Sequence, residues 1–102
     1  MINNLTKNDI LKFLKNNKSV FEINYYCVKI GLFGSFARDE QTETSDIDII
    51  VEFKSETPDL YQTEIEIKEF IGKKFNRKVD VCVEKWIKPI FKPLELKDVV
   101  YA

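Results

Sequence analysis

Apolar and polar positions recur with two periods along this chain. Thr6-Lys7-Asn8-Asp9 opens the first helical period, with Thr6 as N-cap and Asp9 three residues on as the reciprocal cap. Ile10, Leu11 and Leu14 then share one helical face, and the pattern fades near Asn16-Asn17. A short turn or helix through Val20-Phe21 ends at Asn24. Tyr25 to Phe33 is aromatic and β-branched and stops at glycine, which predicts a strand. Ser35–Arg38 begins a short helix, Gln41–Ser45 is a polar loop, and Ile47–Phe53 predicts a second strand. Pro58-Asp59 starts a long helix whose stripe is Leu60, Ile67, Phe70, Ile71 and Phe75, and Asn76 ends it. Lys78 to Glu84 alternates as a third strand. After Trp86, Pro89 and Pro93 cut any helix short, and Asp98–Ala102 is an apolar end with an exposed tyrosine. The order is αβαβαβα, a small α/β (α+β) fold with a short mixed three-stranded sheet flanked by helices.

Length and composition narrow the class. At 102 residues the chain fits one domain, 1–102, with a modest core. Hydrophobic residues are 44% and charged residues 32%, an ordinary globular balance. The net charge of −1 lacks the basic footprint of a nucleic-acid binder. The basic cluster Lys68–Lys78 is interleaved with acids and reads as a solvated helix face. No histidine is present, which removes the Ser-His-Asp triad and any histidine-bearing zinc site. Cys27 and Cys82 lack metal spacing and read as buried thiols of a reducing, cytoplasmic protein. MINNLTKND has no signal-peptide core, and no apolar run reaches the ~20 residues of a membrane span. Neither nucleic acid nor membrane is an expected partner.

The candidate chemistry lies where acids interrupt apolar strands. Asp46 and Asp48 project to one side of the second strand, their Cα atoms about 6.5–7 Å apart, while Ile47, Ile49 and Val51 project to the other. Two carboxylates so close repel unless a cation stands between them, and Mg²⁺ suits carboxylate oxygens and phosphates. Gly34-Ser35 lies between a strand and a helix start, where a backbone without Cβ, free N–H groups and a hydroxyl suit phosphate. Asp80 interrupts Val79–Val83 in the same manner. If the third strand lies beside the second, three carboxylates ring a two-metal site with ions about 3.5–4 Å apart, suited to phosphoryl or nucleotidyl transfer. Each acid also has a plain structural reading: Ser45-Asp46 caps a loop end, and Asp80 faces solvent. Arg38 reads as a phosphate ligand or as the partner of a nearby acid such as Asp39. Trp86 and Tyr101 read as packing or interface residues.

These motifs resemble the minimal nucleotidyltransferase family of the DNA polymerase β-like superfamily. Its signature is Gly-Ser, ten residues, then Asp-x-Asp; here Gly34-Ser35 is followed by Phe36–Ser45 and Asp46-Ile47-Asp48. "LFGSFAR", "SDIDIIVEF", "RKVDVCVE" and the ending "LKDVVYA" extend the likeness from about Val28 onward. One departure is Asp39, where family members commonly carry glycine; aspartate tolerates turn conformations. The resemblance implies that Gly34 and Ser35 hold nucleotide phosphates, that Asp46 and Asp48 bind Mg²⁺, and that Asp80 completes the catalytic carboxylates. It further implies ATP as substrate and a HEPN-family RNase toxin as partner in a hetero-oligomer. The chain would neutralise the toxin as its antitoxin, by moving AMP onto a toxin tyrosine. The alternatives are an antitoxin that masks the toxin by binding alone, and a nucleotidyltransferase for small molecules such as aminoglycosides. The chain's small size and the apolar material at both termini agree with a protein partner.

Overall fold

The computed structural model describes residues 4–102. Residues 1–3, which begin the expected 1–102 domain and the N-terminal stretch, lie outside the described residues. Helix α1 spans Lys7–Asn16, with the capping box formed: the Asp9 amide donates to Thr6 Oγ1 and the Thr6 amide to Asp9 Oδ2. Asn17 ends it, and α2 follows at once over Lys18–Tyr25. The short element expected through Val20-Phe21 is thus a two-turn helix, and the strand begins two residues later than its β-branched and aromatic composition suggested. Tyr25 stays helical because its ring packs on Phe21 (6.0 Å) and Phe70 (5.7 Å). Tyr26, in the left-handed region at φ 59°, turns the chain into β1, Cys27–Phe33.

The one-turn helix α3, Gly34–Ala37, leads through a polar loop to β2, Ile47–Phe53. The long helix α4, Leu60–Phe75, starts on Asp59, whose side chain accepts the Gln62 amide at 3.0 Å. It ends at Asn76 in the left-handed conformation, as its sequence indicates. Then come β3, Val79–Val83, two 3-10 turns at Glu84–Trp86 and Pro89–Phe91, and α5, Lys92–Glu95. The last element is β4, Val100–Tyr101.

The sheet has four strands in the order β3-β2-β1-β4, one more than expected. The fourth is two residues long, too short to show alternation, and is held by antiparallel pairing to Gly31 and Leu32. β1 is antiparallel to β2, whereas β2 and β3 are parallel across the α4 connection, so the sheet is mixed as expected. Ile30 and Leu32 of β1, Ile47, Ile49 and Val51 of β2, and Val79 and Val83 of β3 form the sheet's share of the core. Ile10, Leu14, Phe21, Ile67 and Ile71 from the helices complete it. Phe13, Phe21, Phe70 and Phe75 add ring contacts between the helices at 5.3–6.4 Å, edge-on except for the tilted Phe13–Phe70 pair. Cys27 is buried, and burial alone pushes its thiol up to about 12. No helix among the described residues is long and apolar enough to cross a membrane.

The second face of β2 stays open enough to carry acids. It is not polar throughout, because Ile50 is buried there at 1% exposure. Ile71, fully buried on α4, is expected to report the core: Ile71→Ala should lower unfolding free energy by about 2–5 kcal/mol, with the denaturant m-value unchanged, in urea titration.

Candidate active site

The parallel register of β2 and β3 pairs Ile47 with Val79 and Ile49 with Val81, so Asp48 falls directly opposite Asp80. Strand alternation puts their side chains on the same face. Asp46 stands one residue before β2 and pairs with Lys78 at 3.8 Å. The three predicted acids are therefore brought to one face, at one end of two adjacent strands. Their coupling shows at Asp48, whose carboxyl is raised above the usual range, first by burial and then by the charges of Asp80 and Asp46. Arg38 acts in the opposite direction.

Among the described residues no three acidic side chains stand close enough to form a ready-made metal cage. The donor set nonetheless fits a hard divalent cation. Asp48 and Asp80 offer carboxylate oxygens across one register, and Asp48 carries an unfavourable charge that a cation would relieve.

Gly34 borders this cluster. It lies in the left-handed region at φ +74°, and a Cβ there would meet Asp48 Oδ2 at 2.1 Å. The backbone of the Gly34-Ser35 turn thus runs against the carboxylate, as the close-approach reading requires. Ser35 is half-buried, and its carbonyl accepts the Glu40 amide at 2.9 Å. Because α3 has four residues, its dipole is small, and any anion binding rests on local N–H groups and the Ser35 hydroxyl.

Arg38 does not pair with Asp39. Its Nε donates to Glu40 Oε1 at 2.9 Å, and a terminal nitrogen lies 3.9 Å from Asp98 Oδ2. Asp39 turns away to Lys7 Nζ at 3.8 Å and adopts φ 56°. That left-handed conformation explains why glycine is common here and why aspartate, tolerant of it, replaces glycine.

Sequence reading missed two residues. Arg77 belongs to a basic cluster whose sequence reads as a solvated helix face, and Lys78 starts the expected third strand; both follow the helix end at Asn76 and neither had been given a role at the site. Arg77 donates to the Ser45 carbonyl at 2.9 Å and the Thr42 carbonyl at 3.2 Å, with its guanidinium 5.3 Å over the Phe36 ring. It braces the loop that delivers Asp46.

With the geometry in place, the chain can be compared with known proteins. The family model described as "Nucleotidyltransferase domain" matches residues 8–101. A Methanocaldococcus jannaschii protein, provisionally named a protein adenylyltransferase, is 39% identical over 95% of this chain and 98% of its own length. The protein adenylyltransferase MntA of Thermococcus cleftensis is 33% identical over 96% of this chain and 97% of that protein. A solved structure described as a minimal nucleotidyltransferase superposes with a TM-score of 0.78 at 20% identity, covering 97% of this chain and 98% of that one. A toxin–antitoxin structure with AMP-PNP reaches 0.65 at 24% identity, over 95% and 72% of the two chains. These two structural likenesses establish the fold.

The site's strain is measurable. Because the folded state holds the Asp48 proton more tightly than the unfolded chain, the charged carboxylate costs stability above its folded pKa, and the cost fades as pH falls through it. Asp48→Asn is expected to raise Tm at pH 7 by a few degrees, on the order of 4–8 °C per kcal/mol for this size, and the gain should shrink on acidification. Gly34→Ala should cost about 1–3 kcal/mol in the same calorimetric scans, through its positive φ and the overlap with Asp48.

Proposed function

The chain belongs to the nucleotidyltransferase domain family, and from that premise we propose that it is an antitoxin that transfers AMP from ATP to a tyrosine hydroxyl of a cognate HEPN-family RNase toxin. The observation that carries this reading is the Asp48–Asp80 register with Gly34 against the Asp48 carboxylate. It joins a phosphate-sized backbone approach to an acidic cluster, the pairing that nucleotidyl transfer needs. The adenylyltransferase name of the Thermococcus cleftensis relative supports a protein acceptor, and the toxin–antitoxin assembly of a fold neighbour supports a toxin.

In this reading the Gly34-Ser35 turn binds the triphosphate through backbone N–H groups and the Ser35 hydroxyl. Asp46, Asp48 and Asp80 would hold two Mg²⁺ ions, which would neutralise charge developing on the phosphates and make the attacking hydroxyl more acidic. Asp80, on the exposed edge strand, accepts the hydrogen bond of the incoming tyrosine hydroxyl and orients it. The phenolic oxygen forms a bond to the α-phosphorus, the bond to the bridging oxygen breaks, diphosphate leaves, and the phenolic proton passes to the Asp80 carboxylate that oriented the hydroxyl. Arg38, reached by both Glu40 and Asp98, keeps the guanidinium beside Asp48 and available to a phosphate oxygen. The setting is cytoplasmic, where ATP and the toxin are both present, and residues 1–102 act as one domain.

Incubation of the protein with purified toxin, labelled ATP and Mg²⁺ should add the mass of AMP to the toxin, read by intact mass spectrometry. Asp46→Asn and Asp48→Asn should each lower the transfer rate by at least about a hundredfold, and chelation of the metal should stop it. Neutralisation of the toxin that persists in both variants, without any mass gain, would replace transfer by masking.

A further inference from the structure

Residues 84–101 leave β3 and return to the opposite edge of the sheet as one closed loop. Its neck is fastened where the Tyr101 hydroxyl donates to Glu84 Oε1, across 17 residues of sequence. Lys29 strengthens the neck, 3.8 Å from Glu84 and 4.6 Å over the Tyr101 ring. Gly31 lets Tyr101 cross, since a Cβ there would meet Val100 O at 2.9 Å and Tyr101 Cδ1 at 3.0 Å. The Ala102 amide donates to Ile30 O at 2.9 Å beyond it. A second tie, Asp98 to Arg38, sets the returning limb against the end of α3, beside the Gly34-Ser35 turn.

Between these ties the chain turns apolar side chains outward. Ile90 and Leu94 are 78% and 75% exposed, and Trp86 and Phe91 55% and 49%. Among the described residues the other large exposed apolar side chains are Tyr101 at the loop's own neck and Ile23, Val28 and Tyr61, which sit on three separate elements. Residues 85–97 carry four lysines against one glutamate in a chain whose net charge is −1. Lys85, Lys88 and Lys97 are exposed and make no ion pair among the described residues.

We propose that this loop is the docking surface for the protein acceptor, which meets it with an apolar face bordered by aspartate and glutamate. That a protein acceptor exists rests on the transfer reading above. The charge decides against a second copy: two such loops repel, and the scattered Ile23, Val28 and Tyr61 offer them no matching patch. The Asp98–Arg38 tie joins the returning limb of the loop to the arginine whose charge acts on Asp48.

Calorimetric titration of the cognate HEPN toxin, purified on its own, into the full chain tests this. The double variants Ile90→Asp/Leu94→Asp and Lys85→Glu/Lys88→Glu should each weaken binding by at least about tenfold. The lysine variant should also lose the salt dependence of the wild-type complex, while binding of a fluorescent ATP analogue stays unchanged in both. Tyr61→Asp, an equally exposed apolar position on α4, should bind toxin as wild type does. Wild-type affinity in both double variants, or an equal loss in Tyr61→Asp, overturns the proposal. So does a wild-type chain that binds no toxin but sediments with phosphatidylglycerol vesicles. Loss of binding in the double variants when the wild-type complex transfers no AMP upholds the docking surface and removes the transfer reading instead.

Discussion

Two carboxylates facing each other across a parallel register constrain the rest of this molecule. Asp48 is half-buried opposite Asp80, with Asp46 two residues earlier on the same side, and its proton affinity is raised first by burial and then by their charges. Lys78 and Arg38 at the margin offset part of that repulsion. The opposite face must therefore hold the strand, and it does so with Ile47, Ile49 and Val51, each within 1% of full burial. The alternation of β2 is a division of labour: one row of side chains supplies apolar burial, worth roughly 1.5–3 kcal/mol for each large residue, and the other row carries the charge that burial offsets.

The remaining parts of the site are placed relative to that pair. Gly34 has no Cβ because Asp48 occupies the space one would need, and β1–β2 pairing of Phe33 with Asp48 fixes the approach. Positive charge is set around the cluster's margin. Lys78 offsets Asp46, Arg38 offsets Asp48, and Arg77 binds the loop carbonyls just ahead of Asp46. Arg38 is itself shared between Glu40 and Asp98, so the site's electrostatics extend to the carboxyl-terminal segment. An arginine held by an exposed glutamate and a half-buried aspartate is positioned without being neutralised by a fully buried partner, which leaves its donors open to exchange.

How much of this was legible depended on how local its cause is. The limits of β2 and the stops of α4 followed from alternation, the Asp59 cap and the Asn76 left-handed end, all set within a few residues. The shared face of Asp46 and Asp48 and the close approach at Gly34 were legible too, because strand alternation puts acids two apart on one side and a strand-to-helix turn favours a residue without Cβ. The Asp48–Asp80 contact was legible only conditionally: a strand–helix–strand unit favours parallel neighbours, but the register comes from packing. Tyr25 misled because its ring contacts with Phe21 and Phe70, not its strand propensity, decide its conformation. β4 was invisible because two residues carry no period and their strand character belongs to Gly31 and Leu32 across the edge. That Arg38 pairs with a nearby acid was legible, but the acid is Glu40 and not the Asp39 offered as the example. Asp39 is next to it in sequence, but its left-handed backbone sends the side chain to Lys7, and Asp98 arrives from far along the chain.

That long-range tie also explains why apolar side chains remain outside a small core. A chain of this length has limited volume to bury, and a loop fastened at Glu84–Tyr101 and again at Asp98–Arg38 cannot collapse freely onto the sheet. Pro89 and Pro93 deny it a continuous helix that would fold one face inward. Ordering such a loop costs backbone entropy of about 1–2 kcal/mol per residue, which its exposed Ile90 and Leu94 do nothing to recover in the isolated chain. The recovery must come from contacts at the sheet edge and neck, or from a second protein. The same ties that hold the loop hold Arg38 beside Asp48, so an acceptor seated on exposed apolar surface would also reinforce the arrangement of the acidic cluster. Binding and site order are then linked through one segment, without any second conformation of the sheet.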